Sequence, residues 1–254
     1  MPIGCRDIHT RLTMKTLARK LISGCLLALA SLSNSVNAQT TQVFFDDFNG
    51  RTLSSAWQIA TWVNGPPFGC TFSSQDVHLG KSLLNLSFNG NSGKCAEVRT
   101  KGFWQYGAFV VDMKPSAVPG TVSSFFLYDG VASTASHYEI DIEFVGGSGL
   151  LHTNYWIAGQ QYPQDIDLKA IGIDPYKASR RYSVSWQPNV IVWHVMDDAG
   201  QWVEVRRAAA AISAPMKLMM NAWYGDNIGS ALLFPGYYGG QQGTAQYNSV
   251  WIGK

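Results

Sequence analysis

The sequence predicts an all-β domain of the sandwich or barrel type. Two observations carry that reading. After residue 38 there are at least eleven short runs, alternating or continuously apolar, and Gly, Asn, Asp or Pro separates them. Helical periodicity is scarce over the same stretch, and only Ala208–Ile212 looks locally helix-prone. No internal repeat is evident, which disfavours a propeller.

The elements are read in chain order. Met14–Ala38 (MKTLARKLISGCLLALASLSNSVNA) has a basic start, an apolar middle and small residues at its end, the order of a secretory signal. Val36-Asn37-Ala38 fits the cleavage pattern, and Met14 is a candidate true start. The apolar stretch Leu21–Leu32 is shorter than the ~20 residues a membrane span needs; an uncleaved anchor is the alternative. Residues 1–38 are therefore assigned to the signal and 39–254 to one domain, since no linker or low-complexity block divides the remainder.

The runs that follow are TQVFFDDF, SLLNLSFNG, GAFVVDMKP, SSFFLYDG, YEIDIEFVG, LLHTNYWIAG, RYSVSWQP, VIVWHVMD, WVEVRR, MKLMMNAWYG and YNSVWIGK. Val110–Lys114 and Ser183–Trp186 alternate and read as half-buried strands. Leu218–Trp223 reads as buried on both faces.

Removing residues 1–38 leaves 14 basic and 16 acidic residues, a net charge of −2. No basic stripe offers a nucleic-acid or anionic-membrane surface. Cys5 and Cys25 leave with the signal, so Cys70 and Cys95 remain as an even pair in an exported chain. A disulfide is expected, worth about 3 kcal/mol in the chain-entropy model; two free thiols are the alternative.

The run HYEIDIEFVG, His137–Gly146, carries acids at every second position. Strand side chains alternate faces, so Glu139, Asp141 and Glu143 share one face and Tyr138, Ile140, Ile142 and Phe144 the other, the core. No Lys or Arg in the run compensates the three like charges. A solvated face, a calcium site and a catalytic row all remain open on spacing alone. Retaining glycoside hydrolysis needs two carboxyls ~5–5.5 Å apart. Four strand residues span ~13 Å, so the two Glu side chains would have to lean together. A charged neighbour raises a carboxylic acid's pKa, as a general acid requires.

HYEIDIEFVG resembles the E-I-D-I-x-E active-site strand of glycoside hydrolase family 16, in its compact E-x-D-x-E form. The segments CAEVRTKGFWQYGAFVVDMKPSAVPGTVSSFFLYDG, NYWIAG, SWQPNVIVWHV and MMNAWYG, and FFDDFNG followed by Trp57, match further family segments in order. The resemblance covers essentially all of residues 39–254. It implies a β-jelly-roll of two antiparallel sheets with a concave glycan cleft. In it Glu139 is the nucleophile, Glu143 the general acid/base and Asp141 the helper between them.

The same resemblance places sugar-binding roles on Glu97 and Arg99, Asn154, Trp156 and Trp223, with Tyr128 a weaker candidate. It also pairs Cys70 with Cys95. Glu97 and Arg99 share a strand face and read otherwise as a surface ion pair. Trp186 and Trp193 read as core. His137 is in phase with the acids and should face the cleft, in a tuning or sugar-binding role; a merely polar strand end is the alternative. Lichenases of the family carry Trp-Asp where this chain has His137-Tyr138, and a downstream Trp expected near Ala231-Leu232-Leu233 is absent. Both departures count against cereal-type mixed-linkage glucan.

The expected function is a secreted or periplasmic retaining endo-β-glycanase on a β-glucan or bacterial exopolysaccharide. It would act as a monomer with no required cofactor. A structural calcium is left open near Asn248, which stands where relatives have Asp. A transglycosylase with the same residues and a non-catalytic carbohydrate-binding jelly roll are the alternatives.

Overall fold

The computed structural model describes residues 40–254; the signal read in residues 14–38 lies outside the described residues. Seventeen strands run in order: β1 Gln42–Asp46, β2 Trp57–Ile59, β3 Thr71–Phe72, β4 Val77–Gly80, β5 Leu83–Phe88, β6 Lys94–Thr100, β7 Gly107–Lys114, β8 Thr121–Asp129, β9 Tyr138–Val145, β10 Leu150–Ile157, β11 Gln160–Gln161, β12 Gln164–Asp167, β13 Arg180–Gln187, β14 Val190–Met196, β15 Trp202–Ala209, β16 Lys217–Tyr224 and β17 Gly243–Gly253. They form an eight-stranded sheet, β15-β14-β13-β7-β17-β5-β4 with β1 on β17. The second sheet has nine strands, β11-β10-β9-β8-β16-β6-β2, with β12 on β10 and β3 on β6. Every pairing is antiparallel except the short β3–β6 contact.

The two sheets stack as a sandwich because each strand has one apolar face to hide. β7 alternates buried and half-buried along its whole length, as its sequence does. Ile140, Ile142 and Phe144 of β9 point into the core and are fully buried. Trp186, Trp193, Tyr182, Phe109 and Tyr247 meet them from the eight-stranded sheet. The indole N–H of Trp186 donates to Ile212 O (3.1 Å) and that of Trp193 to Asp141 O (2.9 Å), so both buried indole N–H groups are satisfied. Leu218–Trp223 is buried throughout, as predicted for a strand covered on both faces.

One local expectation fails. Ala208 and Ala209 finish β15 rather than opening a helix. Their register against Ile191 and Val190 extends the β14 ladder, and Ala210 N–H donates to Asn189 O at 3.2 Å. Hydrogen bonding to an existing strand outweighs a local alanine preference of a few tenths of a kcal/mol per residue. The strands absent from the sequence reading, β2, β3, β4, β11 and β12, have two to four residues each. Periodicity cannot register over so short a run.

Candidate active site

The outward face of the nine-stranded sheet is a grid whose rows follow from register. Glu139 lies between Tyr128 on β8 and Trp156 on β10. Asp141 lies between Phe126 and Asn154, and Glu143 between Ser124 and His152. Across β16 the second row continues to Met219 and Arg99, and the third to Asn221 and Glu97. Alternation put the acids on one face; pairing puts aromatic, amide and guanidinium groups on either side of them.

A cleft of ≈ 390 Å³ opens on this face, lined by Glu139, Glu143, Glu97, Arg99, Tyr128 and Trp223 among others. Asp141 is 3% exposed, beneath the opening and between the two glutamates. Its strand is held from below by the Trp193 N–H bond to Asp141 O. The Arg206 guanidinium lies over that same indole (4.7 Å) and donates to Thr153 O at 2.8 Å. On the β8–β16 side Tyr247 of the opposite sheet reaches up, its hydroxyl 2.7 Å from Ser124 O and 2.9 Å from Asn221 O.

The acids differ in their hold on protons. Burial, then the charge of Glu139, pushes the Glu143 carboxyl up to about 8. Asp141 is raised too, first by burial and then by the charges of Glu139 and Glu143. Glu97 is pushed up to about 7, chiefly by burial, with Asn221 and Arg99 opposing the shift. Burial of a carboxylate without a full set of donors disfavours its charge. At neutral pH Glu143 therefore carries a proton, beside the Glu139 charge that helps hold it there.

His137 is buried, with Nε2 2.6 Å from Glu139 Oε2 and Nδ1 accepting the Ser133 N–H at 3.2 Å. An acceptor Nδ1 places the ring proton on Nε2, so the imidazole donates to Glu139. The ring is flanked by Trp156 (4.5 Å) and Tyr128 (5.3 Å). It does not line the open cleft; it backs Glu139. Asn154 is also buried, and its Oδ1 accepts the Tyr162 N–H at 3.0 Å. Glu97 is 2% exposed; Asn221 Nδ2 donates to its Oε2 at 3.1 Å, and its Oε1 has no partner. Ser124 Oγ–H in turn donates to Asn221 Oδ1 at 2.6 Å.

Trp223 is 3% exposed and stacks on Phe68 with ring centroids 4.1 Å apart. Arg99 lies over the Trp62 ring at 4.5 Å and donates Nε–H to Gln58 at 3.0 Å. Trp62 and Phe68 belong to the loop that runs into Cys70, and Cys70 is bonded to Cys95 at the head of the Glu97–Arg99 strand. The disulfide thus ties one wall of the cleft to its floor.

Trp62, Phe68, Phe126, Asn221 and His152 were missed in the sequence. Phe126, Asn221 and His152 were within reach, since each precedes a chosen residue by two on the same strand face: Tyr128, Trp223 and Asn154. Trp62 and Phe68 carry no local signal that separates cleft from core. His152 Nδ1 is 2.6 Å from Asp165 Oδ1, and its ring packs on Phe234. Asn248 donates Nδ2–H to Asp112 Oδ2 at 3.4 Å, which turns its N–H rather than its carbonyl toward that carboxylate. Among the described residues no three His, Cys, Asp or Glu side chains are grouped to hold a metal.

A row of carboxyls on the open face of a jelly roll, beside aromatic planes, fits a glycoside hydrolase. The chain belongs to glycosyl hydrolases family 16, whose family model matches residues 64–248. It is 36% identical to a beta-glucanase of Bacillus amyloliquefaciens over 222 residues, covering 85% of this chain and 90% of that protein. Among solved structures, a prokaryotic beta-1,3-1,4-glucanase (lichenase) from a mouse hindgut metagenome is 35% identical. It superposes with a TM-score of 0.70 over 84% of this chain and 98% of that one. The Bacillus licheniformis beta-glucanase gives 32% identity and a TM-score of 0.71, over 84% of this chain and 98% of that one. A laminarinase domain of Thermotoga petrophila, at 14% identity and a TM-score of 0.70 over 85% of this chain and 98% of that one, shares the fold.

Proposed function

We propose that this protein is a retaining endo-β-glycanase that cleaves internal bonds of a β-glucan or a related bacterial exopolysaccharide. Glu139 attacks the anomeric carbon while Glu143 gives its proton to the leaving oxygen. Glu143 then takes a proton from water as that water attacks the glycosyl-enzyme ester and releases Glu139. Asp141, raised by burial and by the charges of both neighbours, stands between the two and helps orient Glu139. His137 Nε2–H holds Glu139 in one orientation throughout.

The observation that supports this most is the contrast within one strand. Glu143 is pushed up to about 8 while Glu139 beside it receives a buried hydrogen bond. Relatives more than 30% identical are named beta-glucanases, which supports a β-glucan backbone. The substitution of Trp-Asp by His137-Tyr138, and an exposed Leu233 where a Trp is expected nearby, favour a glycan other than cereal mixed-linkage glucan. The leader at residues 14–38 and the Cys70–Cys95 bond support export to an oxidising compartment. No helix among the described residues is long and apolar enough to cross a membrane.

Reducing-end release over laminarin, lichenan, xyloglucan, agarose, carrageenan and bacterial exopolysaccharides tests the substrate class. Proton NMR of the first product tests retention. An α-anomer appearing first from a β-linked substrate would overturn the double displacement.

A further inference from the structure

The nine tryptophans divide by what their indole N–H does. Those of Trp57, Trp104, Trp186 and Trp193 donate within the protein. Among the described residues, the other five have no protein acceptor: Trp62, Trp156 and Trp223 at the cleft face, and Trp202 and Trp251 on the far side of the molecule. Tryptophans with a free N–H and an accessible plane suit a ligand that offers both C–H faces and hydroxyls. Three of the five stand where the glycan of the proposed reaction would lie. The remaining two flank a second depression.

That depression, ≈ 290 Å³, lies on the outer face of the eight-stranded sheet and is lined by Thr40, Ala108, Val110, Ser183, Ser185, His194, Trp202 and Trp251. Its geometry follows from register. Trp251 pairs with Val110, Val110 with Ser183, and Ser183 with His194. Trp202 is on the next strand, its ring 6.3 Å from His194. Trp251 on β17 and Trp202 on β15 are four strand spacings apart, roughly 19 Å. Small side chains floor the trough between them.

The Trp251 plane is built rather than incidental. Its indole lies across Gly253, where any β-carbon would overlap the ring. Trp202 is 43% exposed. Among the described residues the hydroxyls of Ser183, Ser185 and Thr40 and the His194 nitrogens make no side-chain hydrogen bond. No lining residue carries a fixed charge, and the acids on neighbouring outward positions are paired, Glu204 with Arg207 at 2.6 Å and Asp112 with Arg181 at 3.9 Å. Burial lowers the His194 pKa, which favours the neutral ring.

We propose that this trough is a second, non-catalytic site for an uncharged stretch of polysaccharide, separate from the cleft. Two aromatic platforms, a row of unengaged hydroxyls and the lack of fixed charge fit a neutral polyhydroxyl chain, and fit a nucleic acid or acidic peptide poorly. The two sites face opposite ways, so the trough holds the enzyme on a bulky or aggregated polymer while the cleft cuts another segment. The ligand class rests on the glycanase reading; the site rests on the tryptophans.

The test is affinity electrophoresis of the chain from Gln39 in gels containing each polysaccharide of the panel. Glu139→Gln serves as background, so that the polymer survives. The expected result is retardation that Trp202→Ala/Trp251→Ala weakens about tenfold, while cleavage of a short oligosaccharide by the active enzyme with the same double change stays within about twofold. Gly253→Ala, which tilts the Trp251 ring but keeps it, should also weaken retardation. Trp202→Ala alone decides the matter if the double variant fails to fold. Retardation equal to the background protein, or none with a polymer that the active enzyme cleaves, overturns the second site. A dimer that the Trp changes dissolve gives the trough to a second copy and also overturns it. Failure of the glycanase reading shows separately, as no cleavage of any polymer; retardation that depends on the trough tryptophans would still support the second site.

Discussion

His137 Nε2 stands 2.6 Å from Glu139 Oε2 while the Ser133 N–H points at its other nitrogen from 3.2 Å. The backbone of one loop thereby chooses the tautomer that donates to the candidate nucleophile. Ser133 has φ 59°, a left-handed conformation that few non-glycine residues adopt, and this conformation forms part of the turn that presents its N–H. A hydrogen bond to a charged acceptor is worth about 1.5–3 kcal/mol. His137→Ala should therefore cut kcat roughly tenfold to a hundredfold with a smaller change in KM. His137→Gln, which restores a donor, should recover part of the loss. Steady-state kinetics of the pair decides it; equal loss in both would reduce His137 to a packing role.

Glu143 should behave as an acid whose proton is needed for the first step. Its carboxyl is pushed up to about 8, so the rate should fall as pH rises through that value. Glu143→Ala should lose about 10²–10⁴-fold on a sugar leaving group and far less on an activated aryl glycoside. A pH–rate profile with an unshifted alkaline limb in Glu143→Gln would remove it from that role.

The same shift makes a stability prediction. Folded Glu143 keeps a proton up to about 8, whereas the unfolded group releases it near 4.5. Between those values the folded state binds more protons, so this group's contribution is full below about 4.5 and fades as pH rises to about 8. Glu143→Gln should raise Tm by a few degrees at alkaline pH and change it least in acid. Thermal melts across pH check the sign.

Reducing or removing the Cys70–Cys95 bond should cost about 3 kcal/mol for a loop of this length. It should also raise KM, because Trp62 and Phe68 lie on the segment that the bond anchors. Denaturant unfolding with and without reductant measures the first, and kinetics of Cys70→Ser/Cys95→Ser the second. An unchanged KM would separate the wall from the disulfide.

Glu97 presents an unpartnered buried oxygen to the cleft. In the proposed reaction a sugar hydroxyl supplies the donor it lacks. Glu97→Ala should raise KM about tenfold, the worth of one buried hydrogen bond, with kcat less affected. Full retention of KM would show that Oε1 meets no substrate.

The sequence by itself determined that Glu139, Asp141 and Glu143 share a face. The alternation of Ile140, Ile142 and Phe144 leaves no other register, because a slip of one residue would bury all three acids in the core. It also singled out Cys70 and Cys95, the all-β class and the core positions of Trp186 and Trp193. The tertiary structure decided what stands beside the acids. Tyr128 and His152 flank the row from the strands just before and after it in the chain, but long-range packing sets β16 and β6 beyond β8 and so brings Asn221 and Arg99 to the row from far away in the chain. It decided that Trp62 and Phe68 are wall rather than core, and that His137 turns its proton toward Glu139, because a backbone N–H four residues away accepts no other arrangement. It decided the unequal proton affinities as well, since burial and a neighbouring charge are properties of the assembled site and not of any strand.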